Sequence, residues 1–150
     1  MVSKFDEKPS AKCYKEATGF ESVTYVSLKD ITAVQKSLAA GIPVIFGTTL
    51  YSNICDTSGN IGTNPYIPLP GKKDKVIGGH AIVAVGYFKD ANGKLWLIFR
   101  NSWGTSWGEN GYGYIDAEYF TKKYATDLWV LLKDKYVSAH AEMLKMKLTA

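Results

Sequence analysis

The feature that most constrains the fold is an Asn92-Gly93 dipeptide between two apolar runs. The runs are HAIVAVGYF at residues 80–88 and LWLIFRN at residues 95–101. Asn-Gly between hydrophobic runs is the strongest short-range signal for a β-hairpin. Because both runs are nearly continuous in apolar residues, the sequence predicts a hairpin that is buried on both faces.

Apolar spacing and turn residues predict further short elements on either side of this hairpin. Strands are predicted over residues 22–26, 42–48, 111–115 and 128–132, and helices over residues 11–18, 117–124 and 137–148. Ser27-Leu28-Lys29-Asp30 fits a capping box for one more helix, which would end at Gly41. Residues 59–79 form a long connection rich in Gly, Pro and Lys, of the kind that is functional or mobile. Together these elements predict an α+β fold with an antiparallel sheet.

Length and composition bound the class of protein. The chain has 150 residues, of which 46% are hydrophobic and 21% charged. This is enough for one domain, or one lobe of a larger one, with a real core. No run approaches the roughly 18 apolar residues of a membrane span. The start, MVSKFDEKPS, lacks an apolar segment, so no signal peptide is expected and the compartment stays open.

Charge and cysteine content argue against several functions. Eighteen Lys and Arg against fourteen Asp and Glu give a net charge of +4, spread along the chain. Its densest cluster, residues 72–75, is interrupted by an aspartate, and no basic stripe carries aromatic residues, so nucleic-acid binding is not expected. Cys13 and Cys55 are two free thiols or one optional disulfide. No CxxC or Cys/His cluster predicts zinc, and neither a metal nor a cofactor is expected.

The chemistry of the chain centres on one histidine. His80 opens a predicted strand directly after Gly78-Gly79, where backbone or a ligand can approach closely. Asn101 ends the partner strand, so the hairpin brings the two residues together. An asparagine oxygen there would accept a proton from the imidazole and fix its orientation. The alternatives are a half-buried structural histidine and an ordinary turn asparagine, whereas His140 is expected to be a solvated residue of the tail.

The segment after Asn101, NSWGTSWGENGYGYI at residues 101–115, combines glycines with two tryptophans. Trp103 is predicted to cover the His–Asn hydrogen bond and exclude water from it, which strengthens the bond. The alternative is a packing loop in which the indoles serve only as lids.

These residues carry a resemblance to a known family. GGHAIVAVGY at residues 78–87 and RNSWGTSWGENGYGYI at residues 100–115 resemble the C-terminal half of papain-like cysteine peptidases, in the right order. A weaker resemblance spans residues 9–132, and the long connection before His80 is more similar to microbial or viral members. The resemblance implies the antiparallel half-barrel lobe of a two-lobed enzyme over residues 1–135. Residues 136–150 lie outside the resemblance and are expected to form a helical tail.

The resemblance also implies roles for individual residues. His80 matches the catalytic histidine, Asn101 the residue that orients it, and Trp103 the indole that shields the pair. Gly79 is similar to the position whose carbonyl binds substrate backbone. Ala81 falls where the family lines its main specificity pocket.

The chain departs from the family in lacking a recognisable nucleophile. The family carries C-G-[SA]-C-[WY] roughly 130–150 residues before the histidine, and counting back that far from His80 passes Met1. Neither AKCYKE around Cys13 nor NICDTS around Cys55 fits that motif. The oxyanion glutamine belongs to the same absent half. We therefore expect no nucleophile in this chain and no activity from the chain alone.

Two functions remain open from the sequence. The first is the C-terminal lobe of a cysteine peptidase that acts on peptides or proteins together with a missing N-terminal lobe. The second is a non-catalytic binding or assembly module descended from such a lobe. In either case the uncovered lobe surface predicts self-association, as a two-fold homodimer, or coverage by the tail helix at residues 137–148.

Overall fold

The computed structural model describes residues 6–20 and 24–132 and places seven strands in one sheet. The strands are β1 (Thr24–Ser27), β2 (Val44–Tyr51), β3 (Tyr66–Ile67), β4 (Val76–Lys89), β5 (Leu95–Arg100), β6 (Tyr112–Asp116) and β7 (Ala125–Leu132). The helices are α1 (Ala11–Ala17), α2 (Ile31–Ala39) and α3 (Glu118–Thr121), with 3₁₀ turns at Thr18–Phe20 and Ser52–Ile54. The predicted helix at 137–148, the tail with His140 and the boundary at residue 135 lie outside the described residues.

The sheet order is β1-β7-β2-β4-β5-β6-β3. Every pair is antiparallel except β3 with β6, which is parallel. The α+β class and the antiparallel lobe are confirmed. The short strand β3 lies inside the predicted long connection, and β4 begins at Val76 because β2 runs on to Tyr51 and pairs with it there.

The central hairpin joins β4 to β5 and confirms the Asn-Gly prediction. Its connection spans residues 90–94, with Gly93 at a φ of +78° that favours glycine. The Asp90 carboxylate closes the turn by accepting from the backbone N–H groups of Asn92 and Lys94 at 2.9 and 3.0 Å. The hairpin therefore brings the first half of β4 beside the end of β5.

Burial differs between the two faces of β4. On the inner face Ile82 and Ala84 are buried, whereas Ala81 is exposed and Val85 keeps 42% of its surface. The prediction that both faces of the hairpin are buried is therefore wrong for β4. An unbroken apolar run gives no information on which neighbour covers the second face, and the described residues leave that outer face open.

The core lies between the inner sheet face and the helices α2 and α3. Phe46 of β2 is fully buried and packs its ring 5.1 Å from that of Phe120 in α3. Val34 of α2 and Phe99 of β5 also pack into this core, and both are fully buried. Each such side chain stabilises the fold by about 1.5–3 kcal/mol relative to exposure.

Helix α2 begins three residues later than the predicted capping box requires. Asp30 is its N-cap and accepts from the Ala33 N–H at 2.9 Å. Ser27 instead pairs with Trp129 in the sheet, and the Leu28 N–H donates to the Leu128 carbonyl at 2.8 Å. The capping-box prediction is wrong because strand pairing with β7 holds the backbone extended through Leu28.

Among the described residues, no helix combines the length and the apolar character that crossing a bilayer would require.

Candidate active site

His80 and Asn101 meet where the open end of the hairpin reaches the edge of the core. His80 sits in β4 opposite Thr48 of β2, and Asn101 directly follows β5. The His80 Nε2 lies 2.9 Å from the Asn101 Oδ1, and the Asn101 side chain is only 7% exposed. The predicted neighbourhood of the two side chains is confirmed.

A second hydrogen bond identifies which nitrogen of the His80 imidazole carries a proton. The Ser102 backbone N–H donates to the same Asn101 Oδ1 at 2.8 Å, which identifies that atom as the oxygen. Because an amide oxygen only accepts, His80 must donate from Nε2. In the neutral ring, Nδ1 is then left with a free lone pair. The sequence did not indicate this backbone contribution, because every residue offers an N–H.

Trp103 lies flat against the histidine. The His80 and Trp103 rings stack with centroids 4.6 Å apart and planes inclined by 19°. Trp107 meets Trp103 edge-on at 5.2 Å and is itself buried. Trp103 thus lies against the His80 ring, as the sequence predicted, and Trp107 packs against Trp103.

The loop between Asn101 and β6 owes its compactness to glycine. A side chain at Gly108 would collide with the Tyr112 carbonyl, and its φ of +58° also disfavours other residues. A Cβ at Gly113 would lie 2.8 Å from the Trp107 ring. The Asn101 N–H donates to the Gly111 carbonyl at 2.9 Å, so this tight loop positions the asparagine.

A cleft of about 370 Å³ opens beside the stacked rings. It is lined by Ile61, Thr63, Trp103, Ser106 and Trp107. Trp107 anchors the long connection there by donating from Nε1 to the Gly62 carbonyl at 3.0 Å. Ile61 and Thr63 were not predicted from the sequence, because nothing in the long connection signals which of its residues will reach a distant loop.

The other predicted site residues lie on the strand itself. Gly79 and Ala81 flank His80 in β4, and both are exposed, paired with Thr49 and Gly47 of β2. Cys13 lies in α1, exposed, with its Sγ 3.2 Å from the Ser10 Oγ. Cys55 is partly buried and its backbone bridges to Ile61. In the described structure both thiols are free, and neither contacts His80.

The arrangement can exchange a proton at one defined atom. Within the described ranges Nδ1 of His80 has no hydrogen-bond partner, and the imidazolium formed there would keep its Nε2–H bond to a neutral oxygen. Asn101 Nδ2, by contrast, is buried and finds no hydrogen-bond partner among residues 6–20 and 24–132. Over the same ranges, no three His, Cys, Asp or Glu side chains gather as metal ligands.

Comparison with known proteins identifies the class. Residues 3–127 match the family described as "Papain family cysteine protease". An uncharacterized peptidase C1-like protein of Acanthamoeba polyphaga mimivirus is 31% identical over 138 residues, which covers 85% of this chain and 43% of that protein. A cathepsin B-like protein of Giardia intestinalis is 37% identical over 83 residues, or 55% of this chain and 25% of that protein.

A solved structure supports the same family. Xylellain, a cysteine protease from Xylella fastidiosa, superposes with a TM-score of 0.73 at 36% identity, covering 85% of this chain and 46% of that one. The chain therefore belongs to the papain family of cysteine proteases. It spans less than half the length of the mimivirus protein and of xylellain.

Proposed function

We propose that this chain is the half of a papain-like cysteine peptidase that supplies the histidine and the asparagine for peptide-bond hydrolysis. The observation that carries the proposal is the hydrogen bond from His80 Nε2 to Asn101 Oδ1, with Trp103 stacked on the ring. It leaves Nδ1 as the one atom of the pair that can take and return a proton.

The reaction requires a thiol from another part of the enzyme. His80 Nδ1 accepts the thiol proton, and the resulting thiolate attacks the carbonyl carbon of a peptide bond. As the C–N bond breaks, Nδ1 returns its proton to the departing amine nitrogen. Water then attacks the thioester, His80 takes a proton from that water, and the acid product leaves as the thiol is restored.

Asn101 and Trp103 act through the histidine. A neutral oxygen acceptor holds the ring without withdrawing the proton that the cycle needs. The indole face, 4.6 Å from the imidazole, attracts the cationic form and keeps water away from the Nε2–H bond. Both are positioning residues rather than groups that touch the substrate.

The nucleophile and the oxyanion donor belong to a partner half. The outer face of the sheet supports this, because large apolar side chains stand there uncovered. Tyr25 is 69% exposed and Leu131, its cross-strand partner, 50%; Ile45 and Trp129 pair beside them. Such a face fits the surface of a second lobe. Residues 1–135 would form the lobe and residues 136–150 a tail.

A chimera tests the proposal. The 150-residue chain replaces the matched half of xylellain, and hydrolysis of a blocked peptide amide is measured with and without reducing agent. We expect thiol-dependent turnover, and His80→Ala should lower kcat/KM by at least about a thousandfold, as for loss of a general acid–base. His140→Ala is the matched histidine control and should leave kcat/KM unchanged.

Two results would contradict the proposal. One is a folded chimera, verified by cooperative thermal unfolding, whose activity is the same with and without His80. The other is thiol-dependent turnover by the isolated chain that Cys55→Ser abolishes, which would place the nucleophile inside this chain. A folded but inactive chimera together with a stable homodimer of the isolated chain in light scattering would favour a non-catalytic assembly module.

A further inference from the structure

Strand β2 carries one polar side chain on its inner face, that of Thr48. The other residues of the strand on that face, Val44, Phe46 and Leu50, are apolar and buried. Thr48 is itself only 5% exposed. Valine would continue the apolar pattern with nearly the same shape and without a hydroxyl to bury. Residues that break such a pattern are commonly found at functional sites.

Thr48 lies beside His80 in the sheet. The two residues are cross-strand partners in the ladder of β2 and β4, and such partners share one face of a sheet. Ile82 and Ala84, the following residues of β4 on that face, are buried, so Thr48 and His80 meet at the end of the core. The Cβ atoms of directly opposed residues are about 4.5–5.5 Å apart. The Thr48 hydroxyl is therefore the polar side-chain group that β2 presents on the face of the imidazole.

The orientation of the hydroxyl is set from the far side of β2. Thr48 Oγ1 donates to the Thr49 and Tyr124 carbonyl oxygens at 3.4 and 3.5 Å, which is long for a hydroxyl donor. Tyr124 immediately precedes β7, and the Thr49 N–H donates to the same Tyr124 carbonyl at 2.8 Å. Both acceptors thus lie toward β7. Because β2 lies between β7 and β4, a proton directed at β7 leaves the oxygen lone pairs on the side of β4.

We propose that Thr48 is a positioning residue of the active site, whose hydroxyl oxygen faces His80 and stabilises the protonated ring. The negative end of the hydroxyl dipole attracts a positive imidazolium and has little effect on the neutral ring. No hydrogen bond joins these two described side chains, so Thr48 acts through the field of its dipole and exchanges no proton. The inference rests on the proposed function, because that reaction needs His80 to hold the proton taken from a thiol.

The other charged groups on the elements packed against His80 are engaged or remote in the part of the chain that the structure describes. Arg100 at the end of β5 and Glu109 of the following loop each form a hydrogen bond with a tyrosine. Lys89 lies at the opposite end of β4. Strand β2 has no ionic side chain, and its one tyrosine, Tyr51, packs against other aromatic rings.

The expected effect is modest. A full opposite charge at about 4–6 Å moves a titration by about 1–3 pH units, so a hydroxyl dipole at a similar distance should move that of His80 by about half a pH unit. Half a unit corresponds to about a threefold change in proton affinity. The effect depends on the oxygen of Thr48 and not on its methyl group, so valine and serine at this position distinguish the two.

A pH titration of the full chain, followed by NMR at the imidazole C–H signals, tests the inference. His140, the other histidine of the sequence, provides a reference in the same spectra. We expect Thr48→Val to move the midpoint of the His80 titration to lower pH by about half a unit. Thr48→Ala should do the same, whereas Thr48→Ser should leave the midpoint in place.

Thr49→Val is the matched control, since it removes a hydroxyl from the same strand on the opposite face, and it should leave the midpoint unchanged. An unchanged midpoint in Thr48→Val, a move to higher pH, or a Thr48→Ser variant that behaves like Thr48→Val would each overturn the inference.

The chimera with xylellain tests the consequence for the reaction. An active chimera should lose about threefold in kcat/KM with Thr48→Val, because less imidazolium is available to pair with the thiolate. An unchanged kcat/KM would overturn the role of Thr48 in the reaction. The expected midpoint shift in a chain whose chimera is inactive would leave the effect of Thr48 on His80 standing and refute the proposed function.

Discussion

Two buried polar side chains lie at opposite ends of β5 and are held in different ways. Asp116, 1% exposed, lies beside the start of β5, where its Oδ1 accepts from the Glu118 N–H at 2.9 Å and its Oδ2 meets the Lys94 ammonium at 2.7 Å. Asn101 follows the other end of β5. Its Oδ1 accepts from both the His80 Nε2 and the Ser102 N–H, and its Nδ2 has no hydrogen-bond partner among the described residues.

The difference distinguishes Asp116, which stabilises the fold, from Asn101, which orients a neighbouring side chain. Asp116 accepts a hydrogen bond with Oδ1, and its Oδ2 lies close to the Lys94 ammonium as an ion pair without hydrogen-bond geometry. Both contacts tie the hairpin and α3 to the sheet. Asn101 is buried with an unsatisfied donor, which costs stability, and its contacts orient a ring that changes charge in the proposed mechanism. Functional sites commonly keep such local inconsistencies.

The largest effect is expected from Asp116→Ala. It should lower the free energy of unfolding by about 2–3 kcal/mol, because the Glu118 N–H loses its acceptor and the ion pair between the buried Asp116 carboxylate and Lys94 disappears. Urea denaturation measures this loss. Lys122→Ala, which removes only the exposed Lys122–Glu118 pair, is the control and should cost less than about 0.5 kcal/mol. Similar losses in the two variants would mean that Asp116 has no special stabilising role.

The next effect is a loss of stability at alkaline pH, which we expect from Tyr119, a buried tyrosine of α3. Burial raises the pKa of Tyr119 to about 12, with a smaller contribution from the negative charge of Asp116. The unfolded chain releases this proton near pH 10, so the folded state binds it more tightly between pH 10 and 12. Stability is complete below pH 10 and falls by an amount on the order of 2 kcal/mol as the pH rises to 12.

Denaturation as a function of pH checks this prediction, with Tyr119→Phe as the comparison. The variant should lose less stability between pH 10 and 12 than the wild type. An identical slope in both proteins would show that Tyr119 does not titrate with folding.

The smallest effect on stability is expected from Asn101→Ala. Two hydrogen bonds disappear, but so does the unpaired amide nitrogen, and the net loss should be about 1 kcal/mol or less. The effect on the site is larger. We expect the His80 Nε2 proton to exchange slowly under Trp103 and to be visible by NMR, and to be lost from the spectrum in Asn101→Ala. A loss of stability matching that of Asp116→Ala would erase the contrast between the two residues.

The sequence predicted the site better than the surface around it. His80, Asn101 and Trp103 could be placed because a hairpin turn fixes which ends of two strands meet. The capping box at Ser27 failed because pairing with Trp129 outweighs a local capping preference. The exposed face of β4 was mispredicted because an apolar run does not reveal whether a second layer covers it.

Strand β7 shows a different limit. Its register against β2 shifts between the Ile45–Trp129 and Gly47–Thr126 pairs, and a local pattern of residues does not contain that shift. Ile61 and Thr63 were missed for a related reason, since their place beside Trp103 comes from long-range contact with Trp107. Residues positioned by a turn can be predicted from sequence, whereas those positioned by distant pairing cannot.

The acceptor that holds His80 is an amide, which has a consequence for the conditions the site can tolerate. A carboxylate in that place could gain a proton on acidification and would then compete for the role of donor. The Asn101 oxygen has no ionisation state over the pH range in which proteins fold, so it continues to accept from His80 in acidic and neutral surroundings alike. The orientation of the ring is thus decoupled from the acidity of the compartment in which the protein works.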